Sequence, residues 1–221
     1  MIWRPSNKRV MRHFGPIVDQ VTVRSGLAEE TPYGERHATG VLIASAEPRE
    51  GRSSTALGLA LAAAQLKQTQ NVVLVDADLR HGDITSKFGL EKQEGFRELL
   101  AGTNGIAELL APTSTSNLHV MPRGKAAVDW PDVLLSQEAG RAFGLLREQA
   151  DFIVVDSPAL SRYPESRLLA HWLDSVVLVV RAGRSRADAV NEARDVFSEK
   201  LIGAVVTRYR RIVPGFIDRY F

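Results

Sequence analysis

The chain has 221 residues, of which 44% are hydrophobic and 24% charged, enough to build one α/β domain with a sizeable core. A net charge of +2 is too weakly basic to indicate a nucleic acid partner. The absence of cysteine excludes disulfides, thiolate nucleophiles and iron–sulfur clusters. No apolar run approaches the roughly 20 residues that a membrane-spanning helix needs, and the N-terminus lacks the apolar core of a signal peptide. We therefore expect a cytoplasmic location.

Residues 1–38 are expected to form an irregular, basic lead-in. Basic residues such as Arg9 and Arg12 are interleaved there with Trp3 and Phe14. This composition favours a solvated terminus. A segment that docks on a membrane surface or on a partner is the alternative.

Residues 39–55 (TGVLIASAEPREGRSST) combine an apolar strand, a turn with Pro48 and Gly51, and small residues that open a helix. This is the layout of a phosphate-binding loop, in which backbone N–H groups and the helix dipole converge on an anion. The full pattern G-x-x-x-x-G-K-S/T adds a lysine for the β- and γ-phosphates and a hydroxyl for Mg²⁺. Gly51 and Ser53 fit the pattern, but Arg52 stands at the lysine position.

From residue 40 onwards, short apolar runs alternate with stretches of helical spacing. The predicted strands are residues 41–44, 71–75, 118–121, 152–155, 176–180 and 202–206, and the predicted helices are residues 53–67, 131–149, 165–172 and 186–199. Continuously apolar strands separated by helices indicate a doubly wound α/β domain, with a mainly parallel sheet covered on both faces. We assign it to residues 39–207, with ligands at the carboxyl ends of the strands. Residues 81–130 are expected to be its longest irregular excursion.

Acidic residues follow two further predicted strands. Asp76 and Asp78 come after the second strand, and Asp156 follows the fourth. In phosphoryl transfer, aspartates at strand ends hold Mg²⁺ and orient or deprotonate the attacking nucleophile. One such motif is a weak signal, because aspartates also cap helices and begin turns. Two acidic strand ends and a phosphate loop at one edge of a sheet together predict a nucleotide-phosphate site.

With these residues assembled, the chain resembles the cytoplasmic domain of the bacterial tyrosine kinases, the autokinases of polysaccharide co-polymerases (CpsD/CapB type). That family is part of the MinD/ParA-like branch of P-loop ATPases. The resemblance runs from about residue 40 to residue 208. Residues 45–54 resemble the first family motif, residues 76–80 match the second (D-x-D-x-R), and residues 156–158 match the third (D-S-P).

The resemblance implies a P-loop ATPase fold that binds ATP with Mg²⁺ and phosphorylates tyrosines in its own C-terminal tail, one subunit acting on its neighbour. The implied nucleotide-binding residues are Glu50, Gly51, Arg52, Ser53, Ser54 and Arg208. The implied metal-binding residues are Ser53, Asp76 and Asp156, and the implied catalytic residues are Asp76, Asp78 and Arg52.

The resemblance also implies a partner, the cytoplasmic tail of a separate transmembrane polysaccharide co-polymerase. Through it the chain would be located at the inner face of the membrane and coupled to capsule or exopolysaccharide assembly. A homo-oligomer and a peripheral membrane contact through the termini are further options. Residues 208–221 form a basic and aromatic tail that suits either a packed flap or a docking segment.

Four departures from the family pattern bear on activity. Arg52 replaces the lysine and Arg49 replaces a glycine; Thr207 stands where the family has an adenine-contacting asparagine; and the tail has only Tyr209 and Tyr220. Because arginine keeps the charge of lysine but not its compact shape, we expect weak or absent kinase activity. Rebuilt phosphate binding through bidentate arginine contacts is the alternative at the loop. The alternative functions are a non-catalytic adaptor for the co-polymerase tail and a ParA/MinD-type positioning ATPase.

Overall fold

The computed structural model describes residues 7–24, 38–68, 70–127 and 131–209. The described helices are α1 (Asn7–Arg24), α2 (Arg52–Leu66), α3 (Asp83–Phe88), α4 (Phe96–Ala101), α5 (Gln137–Gln149), α6 (Glu165–His171) and α7 (Ala187–Val196). The strands are β1 (Thr39–Ser45), β2 (Val72–Asp76), β3 (Ala111–Pro112), β4 (Leu118–Met121), β5 (Phe152–Asp156), β6 (Ser175–Arg181) and β7 (Leu201–Thr207). None of the described helices is long and apolar enough to cross a membrane.

The seven strands form one sheet in the order β3-β4-β2-β5-β1-β6-β7. Every pair is parallel except β3 with β4 at one edge. The six predicted strands are all present, and the predicted fold class is confirmed. Because the parallel strands run in one direction, their carboxyl ends share one edge of the sheet.

Each face of the sheet is covered by its own apolar core, as expected for continuously apolar strands. Alternate strand residues point to opposite sides. Leu42, Ala44, Val73 and Val75 belong to one core. Val41, Ile43, Val72 and Leu74 belong to the other. The first core includes residues of α4, α5 and α6, and the second includes residues of α1 and α2.

Helix α2 is rich in alanine and leucine and is buried on most of its surface, which requires cover on two sides. The sheet covers one side and α1 the other. Val10, Val18 and Val21 of α1 are buried against it. A Cβ at Gly58 would lie 2.4 Å from the ring of Phe14, so this glycine permits the close approach of the two helices.

The lead-in predicted to be irregular is therefore helical over residues 7–24. The boundary between residues 38 and 39 stays a prediction, and residues 25–37 and 210–221 lie outside the described part of the chain.

Two other predictions differ in detail. The segment predicted to be irregular, residues 81–130, contains α3, α4 and the strands β3 and β4. The single helix predicted over residues 131–149 is a short 3₁₀ turn followed by α5, with Ser136 between them in an extended conformation.

Candidate functional site

The ends of β1, β2 and β5 bring the predicted site residues to one edge of the sheet. Strand β5 pairs with both neighbours, with Asp156 in register with Asp76 on β2 and with Ile43 on β1. The loop after β1 leads directly into α2 at Arg52. The phosphate loop and the acidic strand ends are therefore adjacent, as predicted, while the roles of the individual residues stay predictions.

The loop enters α2 through Gly51, whose φ of 101° lies in the left-handed region that glycine adopts without steric cost. A Cβ there would also lie 3.2 Å from Cγ2 of Thr207. Since Gly51 has no side chain, no side chain from this position caps the first turn of α2. The first four N–H groups of a helix have no intrahelical acceptor, and they form an anion site together with the helix dipole. The loop therefore fits a phosphate group.

Glu50 stabilises this loop through hydrogen bonds. Its side chain is buried, and Oε2 accepts a hydrogen bond from the backbone N–H of Glu47 at 3.0 Å. Oε1 accepts one from the hydroxyl of Ser185, and the carbonyl of Glu50 accepts one from Thr207 at 2.5 Å. The carboxylate predicted to contact nucleotide thus holds the loop to the turn after β6, and the Glu50 carbonyl holds it to β7.

Arg49 has a φ of 64°, a left-handed conformation that costs a residue with a Cβ about 1 kcal/mol or more. Its carbonyl accepts a hydrogen bond from Nη1 of Arg181 at 3.3 Å. Arg49 therefore occupies a backbone conformation that glycine adopts without steric cost.

Arg52, the first residue of α2, turns its side chain toward the acidic strand ends. It is only 8% exposed. Nη1 donates to Oγ of Ser45 at 2.6 Å, and Nη2 donates to Oδ2 of Asp78 at 3.2 Å. Nε lies 3.6 Å from Oδ1 of Asp156. One guanidinium group therefore contacts the ends of all three central strands.

Asp76 and Asp156 are fully buried. Oδ2 of Asp76 accepts hydrogen bonds at 2.7 Å from both the N–H and the hydroxyl of Thr85. Within the described part of the chain, Oδ1 of Asp76 and both carboxylate oxygens of Asp156 have no hydrogen-bond partner. Burial raises the pKa of Asp76 to about 6. Burial also raises the pKa of Asp156 to about 8; the Arg52 guanidinium opposes this shift, and the charge of Asp76 adds to it.

The remaining predicted site residues differ in exposure. Asp78 is buried, and its Oδ1 accepts a hydrogen bond from the backbone N–H of His81 at 3.2 Å. Ser53 is buried beside the acids, whereas Ser54 on the same turn is exposed. Arg208 is exposed with a φ of 54°, directly after the strand that contacts the loop.

A second ion pair links β2 to α6 at the same edge. Nη1 of Arg80 lies 2.6 Å from Oε1 of the buried Glu165. The guanidinium of Arg80 also lies over the ring of Tyr163, 4.1 Å from its centre, a favourable cation–π arrangement. This arginine, the last residue of the D-x-D-x-R motif, therefore fixes the segment after β2 against the segment after β5.

Sequence reasoning did not single out Ser45, Thr85 or Glu165. Ser45 ends β1 and could have been noticed because a hydroxyl at a strand end shares the edge with the ligand. Thr85 and Glu165 carry no local signal, since each contacts a residue of another element.

Asp76, Asp156 and Ser53 offer the oxygen ligands that Mg²⁺ prefers. The described residues contain no group of three or more His, Cys, Asp or Glu side chains arranged to hold a metal ion by themselves. Mg²⁺ is usually bound by one or two carboxylates together with substrate phosphates. The buried oxygens that lack donors fit a cation or its bound water, and we conclude that the residues fit Mg²⁺.

The chain is similar to known proteins in sequence and in fold. No protein-family model matches the chain. The tyrosine-protein kinase YwqD of Bacillus subtilis is 28% identical over 182 residues, which cover 78% of this chain and 73% of that protein. The kinase domain of VpsO superposes with a TM-score of 0.71 at 26% identity, covering 93% of this chain and all of that domain.

A more distant likeness to a solved structure is also found. The septum site-determining protein MinD of Pyrococcus horikoshii, in complex with Mg-ADP, has a TM-score of 0.61 at 20% identity, covering 83% of this chain and 76% of that one. At this identity the likeness concerns the fold alone. The resemblance that the motifs indicated is confirmed.

Proposed function

We propose that this chain, a homologue of the bacterial tyrosine kinases, is an ATP-binding protein that regulates exopolysaccharide or capsule assembly and has weak or no kinase activity. The observation that carries the proposal is the position of Arg52. Its guanidinium is held by Ser45 and Asp78 and faces Asp156. A side chain engaged in this way must leave three partners before it can neutralise a transferring phosphate.

In the proposed complex, the N–H groups at the start of α2 bind the phosphates, and Gly51 allows their close approach. Ser53, Asp76 and Asp156 are the residues that would hold Mg²⁺, whose chemistry when bound is to neutralise phosphate charge. Asp76 is the acid best suited to take a proton from a tyrosine hydroxyl, because its Oδ1 has no donor. Asp78 is occupied by Arg52 and His81.

The proposed partner is the cytoplasmic tail of a transmembrane polysaccharide co-polymerase, which would place the chain at the inner face of the membrane. The homologues carry the name tyrosine-protein kinase, and the partner is inferred from that kinship. A non-catalytic adaptor is the second candidate. The position of Arg52 also favours the adaptor, because a loop whose arginine is held by Ser45 and Asp78 can keep its fold without catalysing phosphate transfer.

The test is nucleotide binding and autophosphorylation of the purified chain with Mg²⁺, comparing the wild type with Arg52→Lys. We expect detectable ADP binding, little phosphate incorporation, and an increase of about tenfold in ADP affinity for Arg52→Lys, or about 1.4 kcal/mol. The increase follows because a lysine ammonium, with one nitrogen, cannot hold Ser45 and Asp78 as the arginine fork does.

The control is Asp76→Asn, which removes the proposed base. Strong phosphate incorporation by the wild type that Asp76→Asn abolishes would contradict weak activity. A co-polymerase tail that binds equally well with and without nucleotide, in a chain that binds no ATP, would favour the adaptor.

A further inference from the structure

The acidic end of the site contains a cation supplied by the protein. Asp76, Asp78 and Asp156 are buried together at neighbouring strand ends, and Arg52 is the guanidinium placed among them. Buried carboxylates are costly unless a positive charge compensates them. Arginine is not deprotonated in proteins, so its charge is permanent.

A divalent ion at the acidic strand ends would lie beside the Arg52 guanidinium. Oδ2 of Asp78 accepts the hydrogen bond from Nη2, and Oδ1 of Asp156 faces Nε at 3.6 Å. An ion bound to Asp156 would therefore lie against a buried guanidinium, in surroundings that screen like charges poorly. Charge repulsion therefore opposes metal binding as long as the guanidinium stays there.

A phosphate group is the ligand that can draw the guanidinium away. Arginine forms bidentate hydrogen bonds with phosphate that are stronger than bonds to neutral acceptors. Arg52 begins α2 directly after Gly51, so its side chain originates where the phosphate would bind. Movement of the guanidinium from Asp78 to phosphate would remove this repulsion from the carboxylates that could hold a metal ion.

We propose that Arg52 is an internal counter-cation that closes the acidic end of the site to divalent ions until a phosphate group binds its guanidinium. This inference concerns regulation of the nucleotide site proposed above and rests on that proposal. It makes nucleotide and metal binding mutually dependent, because each ligand favours the state in which Arg52 has left the acids.

The inference is tested with Mn²⁺, a paramagnetic substitute for Mg²⁺, by measuring free Mn²⁺ with electron paramagnetic resonance in the absence of nucleotide. We expect Arg52→Gln to bind Mn²⁺ about tenfold more tightly than the wild type, within the usual range of coupling between sites. Arg194→Gln is the matched control, since it removes the same charge from the exposed surface of α7. It should leave Mn²⁺ affinity unchanged.

Circular dichroism and thermal melting show whether Arg52→Gln folds, and Arg52→Lys is the second variant in case it does not. Lysine keeps the charge without the fork, so a smaller increase in Mn²⁺ affinity is expected. The inference would be overturned if the folded Arg52 variants bound Mn²⁺ with the affinity of the wild type. It would also be overturned if neither of these variants bound Mn²⁺.

A second measurement separates this inference from the proposed function. Addition of ADP to the wild type should tighten Mn²⁺ binding about tenfold, and Arg52→Gln should show a smaller effect. Failure of the wild type to bind ADP, with tighter Mn²⁺ binding in Arg52→Gln, would count against the nucleotide-binding function but support the counter-cation.

Discussion

At position 49 an arginine adopts a backbone conformation that favours glycine, with a φ of 64°. We predict that Arg49→Gly stabilises the folded chain by about 1 kcal/mol relative to Arg49→Ala, because both variants lose the side chain but only glycine relieves the strain. Urea unfolding of the two variants measures the difference. Equal free energies of unfolding would show that the loop relaxes without cost.

Position 52 shows how one side chain alters a site whose backbone is kept. The sequence identified Arg52 as a departure from the lysine pattern. The position of its side chain depends on Ser45, Asp78 and Asp156. These residues come close to it only when β1, β2 and β5 pair. The substitution is therefore visible in the sequence, whereas the contacts that it makes are not.

At the scale of elements, the helix formed by residues 7–24 was missed, although part of its pattern was present. Val10, Phe14, Val18 and Val21 recur at spacings of four, four and three residues, as on one face of a helix. Pro16 lies within that stretch, and an interior proline usually argues against a helix. The alanine-rich sequence of α2 is a second signal for this helix. Since α2 has no polar face for solvent, another element must cover the side that the sheet leaves open.

The contact between α1 and α2 can be tested at Gly58. We predict that Gly58→Ala destabilises the chain by about 1–3 kcal/mol in spite of the better helix propensity of alanine, because its Cβ would overlap the ring of Phe14. Thermal and urea unfolding measure the loss.

A double-mutant cycle with Phe14→Ala provides the control. Removal of the ring makes space for the new methyl group, so the cost of Gly58→Ala should largely disappear in the Phe14→Ala background. Additive effects of the two substitutions would show that the close contact between the helices carries no energetic weight.

At the scale of the whole molecule, the sheet places Asp76 and Asp156 side by side in register and buries both. Their folded-state pKa values are raised to about 6 and about 8, above those of the unfolded chain. Between about pH 4 and about pH 8, the folded state therefore binds more protons than the unfolded state. The stability that these two groups contribute is fully present below about pH 4 and is lost as the pH rises through about 8.

We predict that Asp156→Asn reduces this pH dependence. From about pH 5 to about pH 8, the wild type should lose at least about 1 kcal/mol of unfolding free energy more than the variant, since one unit of pKa shift corresponds to about 1.4 kcal/mol. Urea unfolding at a series of pH values measures both slopes. Identical slopes would contradict the raised pKa of Asp156.

The sequence by itself determined six of the seven described strands, the mainly parallel sheet and the edge at which the phosphate loop and the acids meet. These features follow from local patterns, because continuously apolar runs form buried strands and parallel strands end at one edge. Only the tertiary structure decided that α1 packs on α2, that Thr85 holds Asp76, and that Arg52 lies among the acids. Each of these joins residues from separate elements, and such contacts depend on which strands and helices become neighbours.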